Sequence, residues 1–381
     1  MEVNSLAERI LSDINVVFKK VPAIDEFDIL PISDVVQNKC PVIHINQKVA
    51  LEGWCVKHVY LYAYSQMMQW KHSQQKLDTA VILSWTRAIL LINPDVQTAW
   101  NIRKDLVFSG VQNIEEELKF SELVLSRKPK CLDVFSHRKL LLQRLREKQF
   151  LSIKTIKYEF EVCSRAAERY PNNYYAWSHR IWVIQELIVD KKNIAIEELK
   201  NTESWVCNHI SDHSGFHYRQ FLITTCLKET GNHQSPSLSK SQESTIENIQ
   251  DKGSDKDGLI VTNETWLLLR QELVLNSDLI ISYPGHEALW CHRRFVIHAL
   301  CRHSRSVPNS VTPKCVVCVD GGRVKKTKLE FQTECKFYME EEDSFVKKCL
   351  LLINQKDWQH HLATRHLEWL RKVLSSSFPL S

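Results

Sequence analysis

Apolar residues return to one face of a helix again and again along this chain. Leu6, Ile10, Ile14, Val17 and Phe18 form a stripe over residues 5–20, which predicts a lead-in helix. Val81, Trp85, Ala88 and Ile92 stand at i, i+4, i+7 and i+11, one face of a helix that starts near Asp78. Asn93-Pro94 ends it, and Trp100 opens the apolar face of the next helix. Proline cannot donate the i→i−4 bond, so it stops one helix or starts another. The same helix, proline, helix order recurs with aromatics at 135, 177 and 216, at intervals of 35, 42 and 39 residues, the size of a helical-hairpin repeat.

The copies share one register. Each aromatic lies six residues after a Pro or its stand-in, and Arg follows three residues later. The sets are Pro94, Trp100 and Arg103; Pro129, Phe135, His137 and Arg138; Pro171, Trp177, His179 and Arg180; Ile210, Phe216, Tyr218 and Arg219; and Pro284, Trp290, His292 and Arg293. The aromatic is placed to fill the gap between stacked hairpins. The Arg, on the same helix face, suits a ladder of bonds to loop carbonyls or carboxylates of neighbouring hairpins.

The pattern breaks in four places. Pro22, Pro31 and Pro41 interrupt helix formation, so the stretch between them is expected to be extended, along a partner or along the edge of the array. A tyrosine-rich helix follows at about residues 51–72, closing an N-terminal region of residues 1–77 ahead of five repeats over 78–300. The interval from Phe216 to Trp290 is 74 residues, and residues 229–262, rich in Ser, Gln, Lys and Asp, are expected to be a disordered insertion. An irregular Cys-containing insertion occupies 301–338. Residues 339–381, with Leu350, Leu351, Trp358, Leu362, Trp369 and Leu370, are expected to cap the array.

Only 9 residues are Gly and 11 are Pro, which leaves little material for tight hairpins or barrels and favours an all-α chain. The net charge of +5 comes from bases spread among nearly as many acids, which argues against a nucleic-acid surface. No apolar run reaches the roughly 18 residues of a membrane span, and the N-terminus lacks the basic-then-apolar order of a signal peptide. Twelve cysteines without paired spacing fit reduced thiols, so a cytoplasmic protein without stable membrane insertion is expected. Cys315 and Cys318, with Cys301, His303 and Cys335 nearby, have too irregular a spacing to read as a metal site. No nucleophile elbow, phosphate-cradling Gly loop or paired catalytic carboxylate stands out.

At residues 173–186, from Asn173-Tyr174-Tyr175-Ala176-Trp177 through His179-Arg180 to Glu186, the wording resembles the central repeat of protein prenyltransferase α subunits. The likeness covers roughly residues 78–300, with unusual flanks and insertions that mark a divergent member of that family. It implies a right-handed, crescent-shaped superhelical array of helical hairpins, an α-α solenoid that wraps a separate catalytic β subunit. The β subunit is expected to hold the zinc, with geranylgeranyl diphosphate as co-substrate and no cofactor bound by this chain. The family's active-site lysine follows the Pro of the second repeat, the place held here by Lys130. An ammonium there stabilises the charge that grows on the leaving diphosphate. Such a contact is worth roughly 1.5–3 kcal/mol, about ten- to a hundredfold in rate. On residues alone, Lys130 reads as a solvated lysine in a turn. Asn173 and Tyr174 match family positions near the isoprenoid diphosphate, and Asn173 reads equally as a cap of the following helix.

The departures bear on the substrate. Where the enzymes that read a CaaX terminus place a glutamine for the acceptor's carboxylate, this chain has Asp133, an anion that repels another. Leu132 and Phe135 replace the expected tyrosine and tryptophan. A Rab-type β subunit, a C20 donor and acceptors that end in cysteine, as membrane-trafficking proteins do, therefore follow from the resemblance. Two other readings stand beside it: a helical scaffold or chaperone that lost catalysis, and a tetratricopeptide-type receptor, which the repeated aromatic and His-Arg pattern disfavours.

Overall fold

Each repeat begins where the sequence offers a side chain to cap a helix. Asp78 accepts the Ala80 N–H at 3.0 Å and opens α3 (Thr79–Ile92). Asn113 accepts from Glu115 and Glu116 at 2.8 and 3.1 Å and opens α5 (Ile114–Arg127). Ser152 accepts from Thr155 at 3.2 Å and opens α7 (Ile153–Arg169). The second helices, α4 (Gln97–Phe108), α6 (Leu132–Lys148) and α8 (Tyr174–Leu187), follow the prolines. A cap of this kind contributes about 1 kcal/mol. Asn113→Ala is therefore expected to lower the melting temperature by about 2–4 °C, read by differential scanning calorimetry; an unchanged midpoint would remove the cap from the account.

The computed structural model describes residues 2–21, 23–31, 40–73, 75–148, 151–228, 254–306, 328–351 and 358–377. They fall into two units, Met1–Ile188 and Val189–Ser381. In the first, α3, α5 and α7 form one layer and α4, α6 and α8 the other, with each hairpin packed on the next. In the second, α9 (Lys191–Asn201) pairs with α11 (His213–Lys228), α12 (Ser254–Ser282) with α13 (Glu287–Ser306), and α14 (Lys328–Leu351) with α15 (Trp358–Ser377). A short α10 (Glu203–Asn208) leads from α9 towards α11. The chain is an all-α helical repeat array, as its pattern indicates.

The N-terminal region adds something the helical pattern does not contain. After α1 (Glu2–Lys20), the proline-interrupted stretch folds back on itself in a three-stranded sheet of order β1-β3-β2. β1 (Glu26–Leu30) runs parallel to β3 (Lys48–Glu52), and β2 (Val42–Ile45) antiparallel to it across a turn with Asn46 at φ 55°. Its strands therefore pair within this chain, and β1 lies along α5, where the Phe27 N–H donates to Ser126 Oγ at 3.0 Å. Glu26 joins Lys48 at 2.6 Å and Arg169 of α7 at 3.4 Å. Leu51 and Glu52 belong to β3, so the tyrosine-rich helix, α2, runs over Gly53–Ser73.

Of the expected disordered insertion, residues 229–253 lie outside the described residues, and α12 begins at Ser254. Most of the Cys-containing insertion, with Cys315 and Cys318, lies outside them as well.

Candidate functional site

The turns between helices stack at one end of the first unit, and the stacking sets Lys130 in place. Lys128 pairs with Asp95 of the preceding turn, and Arg127 donates to the Leu91 and Ile92 carbonyls at 3.2 and 2.8 Å. On the other side, the Asn173 amide donates to the Pro129 carbonyl at 2.9 Å and the Ala166 carbonyl at 3.0 Å. Its Oδ1 accepts the Ala176 N–H at 3.3 Å. Asn173 is 0% exposed, so all of its polar capacity is spent on tying the Lys130 turn to the start of α8. Lys130 itself is exposed, with its ammonium 4.7 Å from the centre of the Tyr170 ring and no carboxylate of the described residues paired to it.

Tyr174, the first residue of α8, is 57% exposed and meets Tyr175 edge-on, with ring centres 6.0 Å apart. Asn173 thus ties the Lys130 turn to the start of α8, where Tyr174 stands exposed. Burial, then the nearby Asp95 carboxylate, push the Asp133 carboxyl above the usual aspartate value against the pull of Lys128.

Behind these turns runs a buried ladder. Within each unit, Arg residues of the second helices reach glutamates on the first helix of the next hairpin. Arg103 holds Glu117 through two bonds of 2.8 and 2.7 Å, and Arg138 holds Glu159 at 3.2 and 2.5 Å. In the second unit, Arg219 holds Glu272 at 2.8 and 2.5 Å, and Arg293 holds Glu342 at 2.8 and 2.6 Å. The same carboxylate meets the histidine of its own hairpin: Glu117 with His137 at 3.0 Å, Glu159 with His179 at 3.2 Å, Glu272 with His292 at 2.8 Å, and Glu342 with His366 at 3.1 Å. Glu198 is met instead by the Tyr218 hydroxyl at 2.6 Å. The remaining Arg nitrogen donates to its own hairpin, as Arg180 does to the Phe160 carbonyl at 2.9 Å and Ser164 Oγ at 2.6 Å.

Aromatic rings complete each rung. Trp100 lies 4.8 Å from His137, Phe135 5.3 Å from His179, Phe216 5.1 Å from His292 and Trp290 5.3 Å from His366, between ring centres. Trp177 is buried at the same register position. Burial alone would raise the glutamate pKa values, but Arg103 and His137 hold Glu117 at about 2. Arg138 with His179, and Arg219 with His292, hold Glu159 and Glu272 at about 2 in the same way.

A model of the protein prenyltransferase alpha subunit repeat matches residues 156–187, 196–226 and 269–300. Over 314 residues the chain is 38% identical to protein prenyltransferase alpha subunit repeat-containing protein 1 of Danio rerio, covering 78% of this chain and 73% of that one. The chain belongs to that family. The Homo sapiens protein of the same name is 36% identical over 78% of each chain. A more distant relative, geranylgeranyl transferase type-2 subunit alpha of Rattus norvegicus, is 27% identical over 60% of this chain and 35% of its own length.

Each matched window of the repeat contains one pairing of a glutamate with a ring of its own hairpin: Glu159 with His179, Glu198 with Tyr218, and Glu272 with His292. In this repeat family member the glutamates are the part that the aromatic and His-Arg pattern did not reveal. A signal was available, because Glu precedes the His or Tyr by 20 residues in four successive hairpins. His366 was also missed. Its glutamate stands 24 residues before it, so α14 and α15, expected only to cap the array, carry a further rung. Gln359 locks that hairpin to the one before, accepting from the Gly285 N–H at 2.7 Å and Trp290 Nε1 at 3.1 Å. Among the described residues no helix is long and apolar enough to cross a membrane.

Proposed function

We propose that this chain is the α subunit of a heterodimeric protein prenyltransferase, inactive alone, and that Lys130 is its contribution to the chemistry. One observation carries the reading: an exposed lysine that no carboxylate of the described residues pairs with, on a turn that the buried Asn173 ties to the start of α8. A cation so placed is available to an anionic ligand, and family membership supplies the ligand's class. The acceptor thiolate attacks C1 of the isoprenoid, the C–S bond forms as the C–O bond breaks, and the electron pair leaves with the diphosphate. Lys130 steadies that departing charge. The partner β subunit is to supply zinc and the isoprenoid pocket.

The likeness to geranylgeranyl transferase type-2 subunit alpha favours a C20 donor, geranylgeranyl diphosphate, and a Rab-type β subunit. The acceptor is then a C-terminal cysteine of a membrane-trafficking protein, modified in the cytoplasm. Asp133 supports the same choice, since a half-buried acid beside Asp95 is a poor seat for a CaaX carboxylate. That same feature favours the rival, a scaffold that kept the fold and lost catalysis.

Co-expression with each prenyltransferase β subunit, followed by transfer of labelled C15 or C20 isoprenoid to cytosolic proteins, separates the two. A 1:1 complex that transfers C20, and that Lys130→Ala slows about ten- to a hundredfold, is the expected result. A complex without transfer selects the scaffold, and no complex with any β subunit sinks the α-subunit reading.

A further inference from the structure

The turn that carries Lys130 leads into the second-helix layer. On α6, Leu132, Ser136 and Lys139 stand at i, i+4 and i+7, one face of the helix. On α8, Tyr174, Ser178 and Trp182 stand at i, i+4 and i+8. The two faces meet, with the Lys139 ammonium 5.5 Å from the centre of the Trp182 ring. Leu132, Ser136 and Tyr174 are exposed, while Lys139 and Trp182 are half-buried.

Lys139 differs from the buried cations of the ladder. Arg103, Arg138, Arg219 and Arg293 each hold a glutamate. No carboxylate of the described residues pairs with Lys139; its described contact is an aromatic face. Burial lowers its pKa, and the groups that act on it are the Tyr174 hydroxyl and the Cys163 thiol. Its own charge reaches the neighbouring His179. The repeat accepts a cation at this position without requiring one, since Lys104 and Arg294 occupy it in two other hairpins and Ile181 and Gln220 in the remaining two. An apolar side chain would fill the space without desolvating an ammonium. A cation–π contact returns only part of that cost. The counter-charge that justifies a lysine here is absent from the described residues.

We propose that Lys139 is the cation of a second oxyanion site on the α6–α8 face, taking a phosphate or carboxylate carried on an apolar chain. The inference rests on the prenyltransferase reading for the ligand's class and names a further binding residue for it. Leu132, Tyr174 and Trp182 supply apolar surface beside the charge. Roughly 10 Å of helix rise separates Leu132 from Lys139, about three residues of extended peptide. A tail whose reactive cysteine stands about three residues before its end can therefore place its terminal carboxylate at Lys139, whereas an acceptor that ends in cysteine leaves the site to the isoprenoid donor. A prenyl diphosphate is the other source of such an oxyanion.

The test uses the full chain with its lysines reductively 13C-dimethylated, the Lys130 and Lys139 resonances being assigned from Lys130→Arg and Lys139→Arg. Probes are inorganic pyrophosphate, geranylgeranyl diphosphate, and an acetylated cysteine-containing tetrapeptide as free acid and as amide, each up to about 1 mM. A bound oxyanion favours the charged amine, so the Lys139 titration midpoint is expected to rise. Lys139→Gln is expected to weaken binding of the effective probe about ten- to a hundredfold, with Lys139→Arg retaining it. A rise with the acid but not the amide assigns the carboxylate, and a rise with the phosphates assigns the donor. If no probe moves Lys139, or if Lys130 moves alone, the second site is wrong while the prenyltransferase reading stands. A Lys139 that responds in a chain that pairs with no β subunit keeps the site and removes the enzyme.

Discussion

Glu159→Ala is expected to destabilise the first unit by about 3–5 kcal/mol, the largest single-residue effect in the molecule. Glu159 is almost fully buried and is held by Arg138 at 3.2 and 2.5 Å and by His179 at 3.2 Å. Removing it strands the Arg138 guanidinium in an interior where its other contacts are the Leu118 carbonyl and Ser121 Oγ, both at 2.7 Å. Those neutral acceptors satisfy hydrogen bonds but not charge. Urea titration of the full chain, followed by protease sensitivity of residues 78–188, reads the loss. A destabilisation below about 1 kcal/mol would mean that water reaches Arg138 and that the rung is ornamental.

The companion experiment asks what the rung is for. Arg138→Met with Glu159→Leu and His179→Phe replaces the buried triad with apolar groups of similar size. It is expected to recover most of the loss, because the desolvation cost of the ions disappears along with their attraction. The rungs then serve register rather than net stability, since each carboxylate admits only the Arg of the hairpin before it. A triple variant as unstable as Glu159→Ala alone would instead show the ion pair to be a net contributor.

How much of this was legible depended on whether the physics was local. Helix faces, capping residues and proline stops are local, and the repeat from Asp78 onward follows from them. Trp100, Phe135, Trp177, Phe216 and Trp290 could be read as gap-fillers because they keep one distance from a proline or, for Phe216, from Ile210 in its place. The glutamates could not be read from any one hairpin. Glutamate is ordinary on a helix surface, and only its constant offset from the His or Tyr marks it. The parallel pairing of β1 with β3 joins segments across a stretch with no regular alternation, so the prolines signalled extended chain but not a sheet. Asn173 had two readings of equal weight, and the structure adds the capping and bracing contacts that a buried amide must find. Lys130 was legible only through the family resemblance, and Lys139 not at all, since nothing in one repeat says that a lysine lacks an acid.

Acid should dismantle the array in two steps, and the ladder sets both. The Nδ1 atoms of His179, His292 and His366 are buried without a partner among the described residues, which assigns their protons to Nε2, facing the glutamates. Burial, ahead of the pull of Glu159 and Glu342, holds His179 and His366 below the usual histidine value. Protonation would bury an unpaired N–H. Stability from these two histidines is therefore complete above about pH 6.5, their unfolded value, and declines as the pH falls below it. The glutamates act lower. Glu117, Glu159 and Glu272 sit at about 2, so their contribution is complete above an unfolded value near 4.5 and is lost between there and pH 2. Melting temperatures measured from pH 7.5 to pH 3.5 are expected to fall first between pH 6.5 and 5 and more steeply below 4.5. His179→Gln, which cannot be protonated, should lessen the first decline, and by taking a partner from Glu159 it should move part of the second to higher pH. A melting temperature constant from pH 7 to pH 5 would show that these histidines already carry a proton at neutrality, and the rungs would then be ion triads rather than carboxylates each shared by one cation and one neutral ring.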